Sequence, residues 1–305
     1  IKKNLPVGKE AIYLIDDFFK KNFSLIKNKI NFEYKENIFF IDTSHEPTTE
    51  YIDKIADKIF SQSEVGLVIG IGGGSTLDIT KALSILATNA GPVEKYQGWD
   101  LVENEPIYKI GIPTISGTGA EFTRTAVMTS PTKKLGINSD FSVFDQVILE
   151  PSFLESVPTD KFIYTAMDCF VHNVESLRGT QNDSMTIAFA EKSLQMLNDI
   201  FLKEMDHEKL MVSSALGGIA VANSNVGICH PLSYGLSLVL GLRHGFAICI
   251  AFNQLLEYYP EVESFKKILE KYKIVLPKII DENVSSNQIN KMAEATLLNE
   301  KPLEN

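Results

Sequence analysis

The run VGLVIGIGGGSTLDITKALSILATN, residues 65–89, constrains the fold more than any other part of the chain. Its first ten residues are apolar or glycine without polar alternation, so a strand made of them must be covered on both faces. The glycines at 72–74 end that strand, and helical spacing begins at Ser75, which reads as the N-cap. NIFFIDTS (37–44) and YKIGIPTI (108–115) read as further buried strands. TTEYIDKIADKIFSQ (48–62) reads as an amphipathic helix opened by threonine, and residues 8–21 also carry helical spacing. The lysines of FFKKNFSLIKNK (18–29) fit the solvated face of a helix. Strands alternating with helices imply a parallel, doubly wound sheet.

The pattern changes around LESVPTDKF (154–162). From Thr159 onward helical spacing dominates and no strand is evident. A boundary near Val157 and Pro158 is expected, giving an α/β domain over 1–157 and an all-helical domain over 158–305. With 305 residues, 44% of them hydrophobic, the chain can bury two cores. A net charge of −10 with no basic stripe argues against a nucleic-acid partner. The apolar runs are too short to span a bilayer and no secretory leader is evident, so no membrane role is expected. Three cysteines without a CxxC pair fit a reducing cytoplasm. Residue 1 is Ile and the last segment stops just after a helical pattern, so further chain is expected at both ends.

IGGGSTLDITKA (71–82) follows a strand and opens a helix, where free N–H groups and partial positive charge suit a phosphate. It is not GxGxxG, so the simple dinucleotide fingerprint fails. A second small-residue turn, PTISGTGAE (113–121), follows the next strand and could present Thr114, Ser116 and Thr118 hydroxyls. Ligands of open α/β sheets bind at that carboxyl edge. Asp42, at the end of its own strand, stands where a carboxylate can accept ribose hydroxyls.

Two pairs are candidate metal ligands, against the competing readings of a hydrogen-bonded surface pair and of two unrelated core histidines each satisfied by a carbonyl. In TAMDCFVHNVES (165–176), Asp168 and His172 lie four apart and share a helix face in an apolar context. In GICHPLSYGLSLVLGLRHG (227–245), His230 and His244 lie fourteen residues apart. On one straight helix that is about 21 Å, too far for one ion. If they share one, the helix must break between them, and Gly241 is the credible breaker. A carboxylate with three imidazoles suits a divalent Fe(II), Zn(II) or Mn(II) with a position left for substrate. His45 and His207 sit in polar settings and are expected at the surface. Cys169 and Cys229 flank ligands but point about 100° away on a helix, so they are not expected to coordinate.

At this point the chain resembles the iron-containing alcohol dehydrogenase family over nearly its whole length. GGGSTLDITKA is similar to that family's GGGSxxDxAK turn, and PTISGTGAEFTRTAV to its PTTxGTGSE segment. VPTDKFIYTAMDCFVHNVES resembles LPxxLTAxxGMDAxxHAxE, and HPLSYGLSLVLGLRHG resembles HxxxHxxG…PHG. The resemblance implies a dehydroquinate synthase-like architecture. It places Asp168, His172, His230 and His244 on the metal ligands. Gly73, Gly74, Ser75, Asp78, Thr114 and Thr118 fall on the dinucleotide site, Asp42 on ribose selectivity, and Lys134 near the nicotinamide ribose. NAD is the implied cofactor, with NADP as the alternative. A homodimer is implied as well.

Departures bear on substrate. Tyr234 replaces a second family histidine, Arg243 replaces the usual proline before the last ligand, and Arg124 stands beside the second turn. Several phrases look most like the branch that oxidises the terminal hydroxyl of 3-deoxy-manno-octulosonate, an anionic sugar of lipopolysaccharide biosynthesis. A guanidinium in a catalytic cleft needs a counter-charge, which a substrate carboxylate would supply. Structural pairing with Glu121, Glu175 or Asp145 is the competing role. The implied reaction is a reversible alcohol–aldehyde interconversion with hydride passing to nicotinamide, Tyr234 acting through hydrogen bonding. Rival readings are a dehydrogenase of small neutral alcohols, a dehydroquinate synthase-like cyclising lyase, and a regulatory cofactor binder without activity.

Overall fold

The computed structural model describes residues 2–30, 37–277 and 284–305. They divide into two compact units, one of residues 1–115 and 120–155, the other of residues 116–119 and 156–305.

In chain order the first unit contains β1 (Glu10–Asp16), α1 (Phe18–Lys21), α2 (Ser24–Lys27), β2 (Ile38–Ile41), α3 (Thr49–Phe60), β3 (Val65–Gly72) and α4 (Gly74–Leu86). β4 (Gly98–Trp99), β5 (Tyr108–Pro113), β6 (Thr125–Thr129), β7 (Lys134–Asn138) and β8 (Gln146–Val147) follow. A five-stranded parallel sheet has the order β2–β1–β3–β5–β8. β4, β7 and β6 form a separate three-stranded sheet whose β6–β7 pair is antiparallel. β3 is buried along its whole length, as its unbroken apolar run requires. One apolar layer, including Ile12, Leu14, Val68 and Ile79, lies on one face of the parallel sheet; Tyr13, Ile15, Ile69 and Phe153 belong to another.

Two local expectations are corrected. Residues 8–21 do not form a helix: Glu10–Asp16 is β1, and only Phe18–Lys21 turns helically. The run AIYLI is buried throughout, because β1 pairs with β2 on one side and β3 on the other. A strand covered on both faces loses its period-two signature, and five apolar residues fit either template. The N-cap of α4 is Gly73, not Ser75. The Gly73 carbonyl already accepts from Leu77 N–H at 3.1 Å, so the helix closes its first turn two residues sooner. The glycine run is used for close packing. A Cβ on Gly70 would overlap Thr80 and one on Gly72 would overlap Thr76, so α4 lies almost directly on β3.

α4 is tied to the second sheet by Lys81, which is fully buried. Its ammonium donates to the Thr123 carbonyl at 2.9 Å, the Thr125 carbonyl at 2.8 Å and the Thr123 hydroxyl at 3.1 Å. Burial lowers its pKa and raises that of Asp78, each partly offset by the charge of the other.

The named elements of the second unit are all helices among its described residues. The unit contains α5 (Thr159–Arg178), α6 (Ser184–Leu202), α7 (His207–Ser224), α8 (Cys229–Leu240), α9 (His244–Gln254), α10 (Val262–Lys271), α11 (Ser286–Leu297) and α12 (Glu300–Glu304). Caps define several starts: Asp183 accepts from Thr186 N–H, Asp206 from Lys209 N–H, and Ser285 forms a capping box with Gln288. The short segment Ser116–Gly119 packs with these helices. Gly117 has φ +145°, and a Cβ there would collide with the Thr165 carbonyl; Gly119 has φ +63° and a Cβ there would lie 2.6 Å from Gly218 Cα. Gly117 N–H donates to Ser214 Oγ at 2.8 Å. No single helix among the described residues is long and apolar enough to cross a membrane.

Replacing Lys81 by Met should remove the ammonium that donates to two carbonyls and a hydroxyl. We expect a loss of about 2–4 kcal/mol, read as a lower denaturant midpoint.

Candidate functional site

α5 carries Asp168 and His172 one turn apart and brings both into the interior of the helical unit. Asp168 is 1% exposed and His172 7%. α8 begins at Cys229 and presents His230 in its first turn, 1% exposed. The helix then ends at Gly241, whose φ of +67° is the left-handed conformation that terminates helices, with its N–H bonded to the Ser237 carbonyl at 3.0 Å. α9 starts at His244 with Arg243 as N-cap. The break folds His244 back onto His230, and the two ring centroids lie 5.6 Å apart.

The four side chains meet around one oxygen. Asp168 Oδ1 lies 3.4 Å from His244 Nε2, 3.5 Å from His230 Nε2 and 3.9 Å from His172 Nε2. The His172 and His230 rings stack, with centroids 4.4 Å apart and planes 10° apart. Ligand atoms of Asp168, His230 and His244 are close enough together to hold one ion. Asp168 Oδ1 and His230 Nε2 are buried with no hydrogen-bond partner, although each faces the other. Buried polar atoms that converge without bonding fit a cation between them.

The charges are strongly coupled. Burial alone would raise Asp168, yet His172, His244 and His230 outweigh it and hold the carboxyl well below its usual range. Burial lowers His172 to about 4. Burial also opposes charge on His230, but Glu175 and then Asp168 overcome it and raise it to about 9.

Sequence reasoning named Glu175 only as a possible arginine partner and did not single out Ser233. Glu175, 1% exposed, bonds His230 Nδ1 through Oε2 at 2.5 Å and accepts the Cys229 N–H on Oε1 at 2.6 Å. Ser233 Oγ donates to the His230 carbonyl at 2.7 Å and lies 3.2 Å from His244 Nδ1. Glu175 stands three residues after His172 and seven after Asp168 on α5, so the signal was same-face spacing. Cys169, Cys229 and Cys249 are buried and form no disulfide among the described residues. Burial raises the Cys229 and Cys249 thiols, so neither offers a ready thiolate.

Tyr234 lies against the site, its ring 5.6 Å from that of His244. Arg243 is exposed beside His244 and forms no ion pair among the described residues. Arg124 is different. It pairs with Asp100 and, at 3.1 Å, with Asp140, and packs over Trp99. These carboxylates are none of the three expected from sequence. They come into reach because Asp100 sits at the end of β4 and Asp140 just after β7. His45 is exposed as expected, whereas His207 is half-buried at the start of α7.

Five of the expected cofactor residues, Asp42, Gly73, Gly74, Ser75 and Thr114, fall at one edge of the parallel sheet, and Asp78, Thr118 and Lys134 do not. Asp42 follows β2, Gly73 to Ser75 follow β3, and Thr114 follows β5; Thr114 N–H donates to the Gly72 carbonyl at 2.9 Å and links two turns. The Asp42 carboxylate accepts from the Ser44 hydroxyl at 2.6 Å and N–H at 2.9 Å, which lower its pKa. Asp78 sits deeper, accepting the Val127 N–H at 3.2 Å. Lys134 is buried on β7 and paired with Glu46 at 2.6 Å. Thr118 belongs to the segment that packs with the helical unit.

The Gly241 turn should be sensitive to a side chain for conformational reasons alone, since no atom lies near its missing Cβ. Gly241→Ala should cost about 1 kcal/mol in denaturant unfolding.

Residues 2–151 match the family model of iron-containing alcohol dehydrogenases, and residues 162–300 match the C-terminal model of the same family. Sulfoacetaldehyde reductase of Bilophila wadsworthia is 32% identical over 239 residues, 74% of this chain and 61% of that protein. 4-Hydroxybutyrate dehydrogenase of Clostridium kluyveri is 26% identical over 315 residues, 99% of this chain and 82% of that protein. The structure of sulfoacetaldehyde reductase from Bifidobacterium kashiwanohense in complex with NAD+ superposes with a TM-score of 0.80 at 18% identity, covering 97% of this chain and 85% of that one. It shares the parallel-sheet and helical architecture. With both halves matched in order, the chain belongs to the iron-containing alcohol dehydrogenase family.

Proposed function

We propose that this chain acts as a NAD-linked, divalent-metal-dependent alcohol dehydrogenase that interconverts a primary alcohol and an aldehyde, and that its substrate is an anion. The carrying observation is the convergence of three imidazole Nε2 atoms on Asp168 Oδ1 within 3.4–3.9 Å in a buried setting. Asp168, His172, His230 and His244 would hold Fe(II), Zn(II) or Mn(II). A bound cation supplies Lewis acidity to the oxygen that changes between hydroxyl and carbonyl.

The remaining work falls to the chain's own groups. The turn at Gly73–Ser75 offers the free N–H groups of α4 to a pyrophosphate, with Thr114 at the neighbouring strand end. Asp42 accepts ribose hydroxyls. Its Ser44 bonds favour the charged form, which would repel a 2′-phosphate and so favours NAD over NADP. Lys134, held by Glu46, supports the ribose from β7. Tyr234 contributes a hydroxyl to the hydrogen bonding beside His244. Arg243, exposed and without an ion pair among the described residues, is suited to grip the substrate's negative group. Arg124 is less suited, since Asp100 and Asp140 already neutralise it. Two relatives carry the names of anionic substrates, a sulfonate and a carboxylate, which supports an anionic substrate here. The acid sugar 3-deoxy-manno-octulosonate is the larger candidate of that class.

The test is nicotinamide reduction by chelator-stripped protein reloaded with each metal. 3-Deoxy-manno-octulosonate, 4-hydroxybutyrate and 2-hydroxyethanesulfonate are offered beside 1,2-propanediol and butanol. We expect turnover only after metal is restored, faster with NAD than NADP, and fastest with an anion. Arg243→Gln should raise KM for that anion about tenfold or more and change kcat little. Turnover of neutral alcohols alone would remove the anionic assignment. Metal and NAD binding with no net NADH formation from any alcohol would favour the cyclising lyase, which returns its cofactor unchanged.

A further inference from the structure

We propose that Glu175 and Ser233 are positioning residues that preset His230 and His244 as Nε2 donors and thereby set the affinity of the site for its cation. This rests on the metal-site reading above. A neutral imidazole carries its proton on one nitrogen and a lone pair on the other, and only the lone pair can bind a metal. Which nitrogen faces the site is therefore decided by what the opposite nitrogen bonds.

For His230 the opposite nitrogen meets a carboxylate. Glu175 Oε2 lies 2.5 Å from Nδ1, and a carboxylate only accepts, so the proton belongs on Nδ1. On the neutral ring that metal binding requires, Nε2 then carries the lone pair, and it is the nitrogen that faces Asp168 at 3.5 Å. The carboxylate cannot swing away, because Oε1 accepts the Cys229 N–H at 2.6 Å. Gly227 completes the seat. A Cβ there would lie 2.9 Å from Glu175 Oε1, so any side chain presses on the carboxylate.

For His244 the argument runs through a proton count. Ser233 has one hydroxyl proton and gives it to the His230 carbonyl at 2.7 Å. Towards His244 Nδ1, at 3.2 Å, the hydroxyl can then only accept. The proton again belongs on Nδ1, and Nε2 faces Asp168 at 3.4 Å. His172 has no such partner, its buried Nδ1 being unbonded among the described residues. Its ring is held by stacking on His230 at 4.4 Å, so Glu175 steadies two rings at once. Partners of this kind behind metal-bound imidazoles raise affinity by about 10–100-fold.

The experiment is Zn2+ titration of the metal-free full chain against a chromophoric chelator, beside thermal melting of the same metal-free protein. Glu175→Gln should weaken Zn2+ about 10–100-fold and Ser233→Ala about tenfold. Gly227→Ala, which alters no polar group, should weaken it in the same direction by displacing Glu175. A purely structural role would lower the melting temperature and leave Zn2+ affinity at the wild-type value, and that result would overturn the proposal. Should Glu175→Gln not fold, ring 15N shifts of the Zn-loaded wild-type protein decide. Both His230 and His244 must coordinate through Nε2 and keep a proton on Nδ1, and Nδ1 coordination by either one refutes it. Failure of the wild-type chain itself to take up Zn2+ is a different outcome, and it would count against the metal-site reading.

Discussion

A carboxylate that is almost fully buried among apolar helix faces is the constraint on which the helical unit depends. Asp168 follows Ala166 and Met167 and precedes Cys169 and Phe170, all fully buried. An isolated charge in such a place would be neutralised or expelled, because desolvation costs several kcal/mol even after relaxation. Here imidazoles from three helices, α5, α8 and α9, surround the oxygen and keep it ionised. The ends of α8 and α9 are placed by that need. The left-handed turn at Gly241 is what lets two histidines fourteen residues apart reach the same oxygen.

The same economy appears in the α/β unit, where charge is buried only with its partner in place. Lys81 spends its ammonium on backbone carbonyls of the chain leading into β6, Lys134 on Glu46, and Lys109 on Asp145 at 3.5 Å. None of these pairs is a surface decoration, since all three lysines are at most 3% exposed. Lys81 and Lys134 tie the three-stranded sheet to its surroundings, and Lys109 ties β5 to the start of β8.

Much of this was legible in the sequence, for identifiable reasons. β3 and the turn after it could be read because three consecutive glycines have few uses, and the break at Gly241 because two histidines on one straight helix would have lain too far apart. β1 was not legible: a strand paired on both edges and covered on both faces has no alternation to read. The N-cap of α4 was misplaced because Ser75 looks like a cap, whereas the strand and helix are close enough that Gly73 closes the turn. Arg124 found its partners through Asp100, a residue with a positive φ of 55° whose position depends on a turn that composition does not encode. Glu175 shared the face of Asp168 and His172, but spacing says which side chains are neighbours and not which nitrogen each one holds.

The three cysteines carry a last consequence. Each is buried, and Cys169 and Cys229 are sequence neighbours of metal-binding candidates without joining them. A protonated, occluded thiol reacts with alkylating reagents only when the chain around it opens. The helical unit thus contains its own reporters of local unfolding, one on each of the three helices that carry the candidate ligands. Their labelling rates would measure how far the contacts around Asp168 brace α5, α8 and α9 against transient opening, helix by helix.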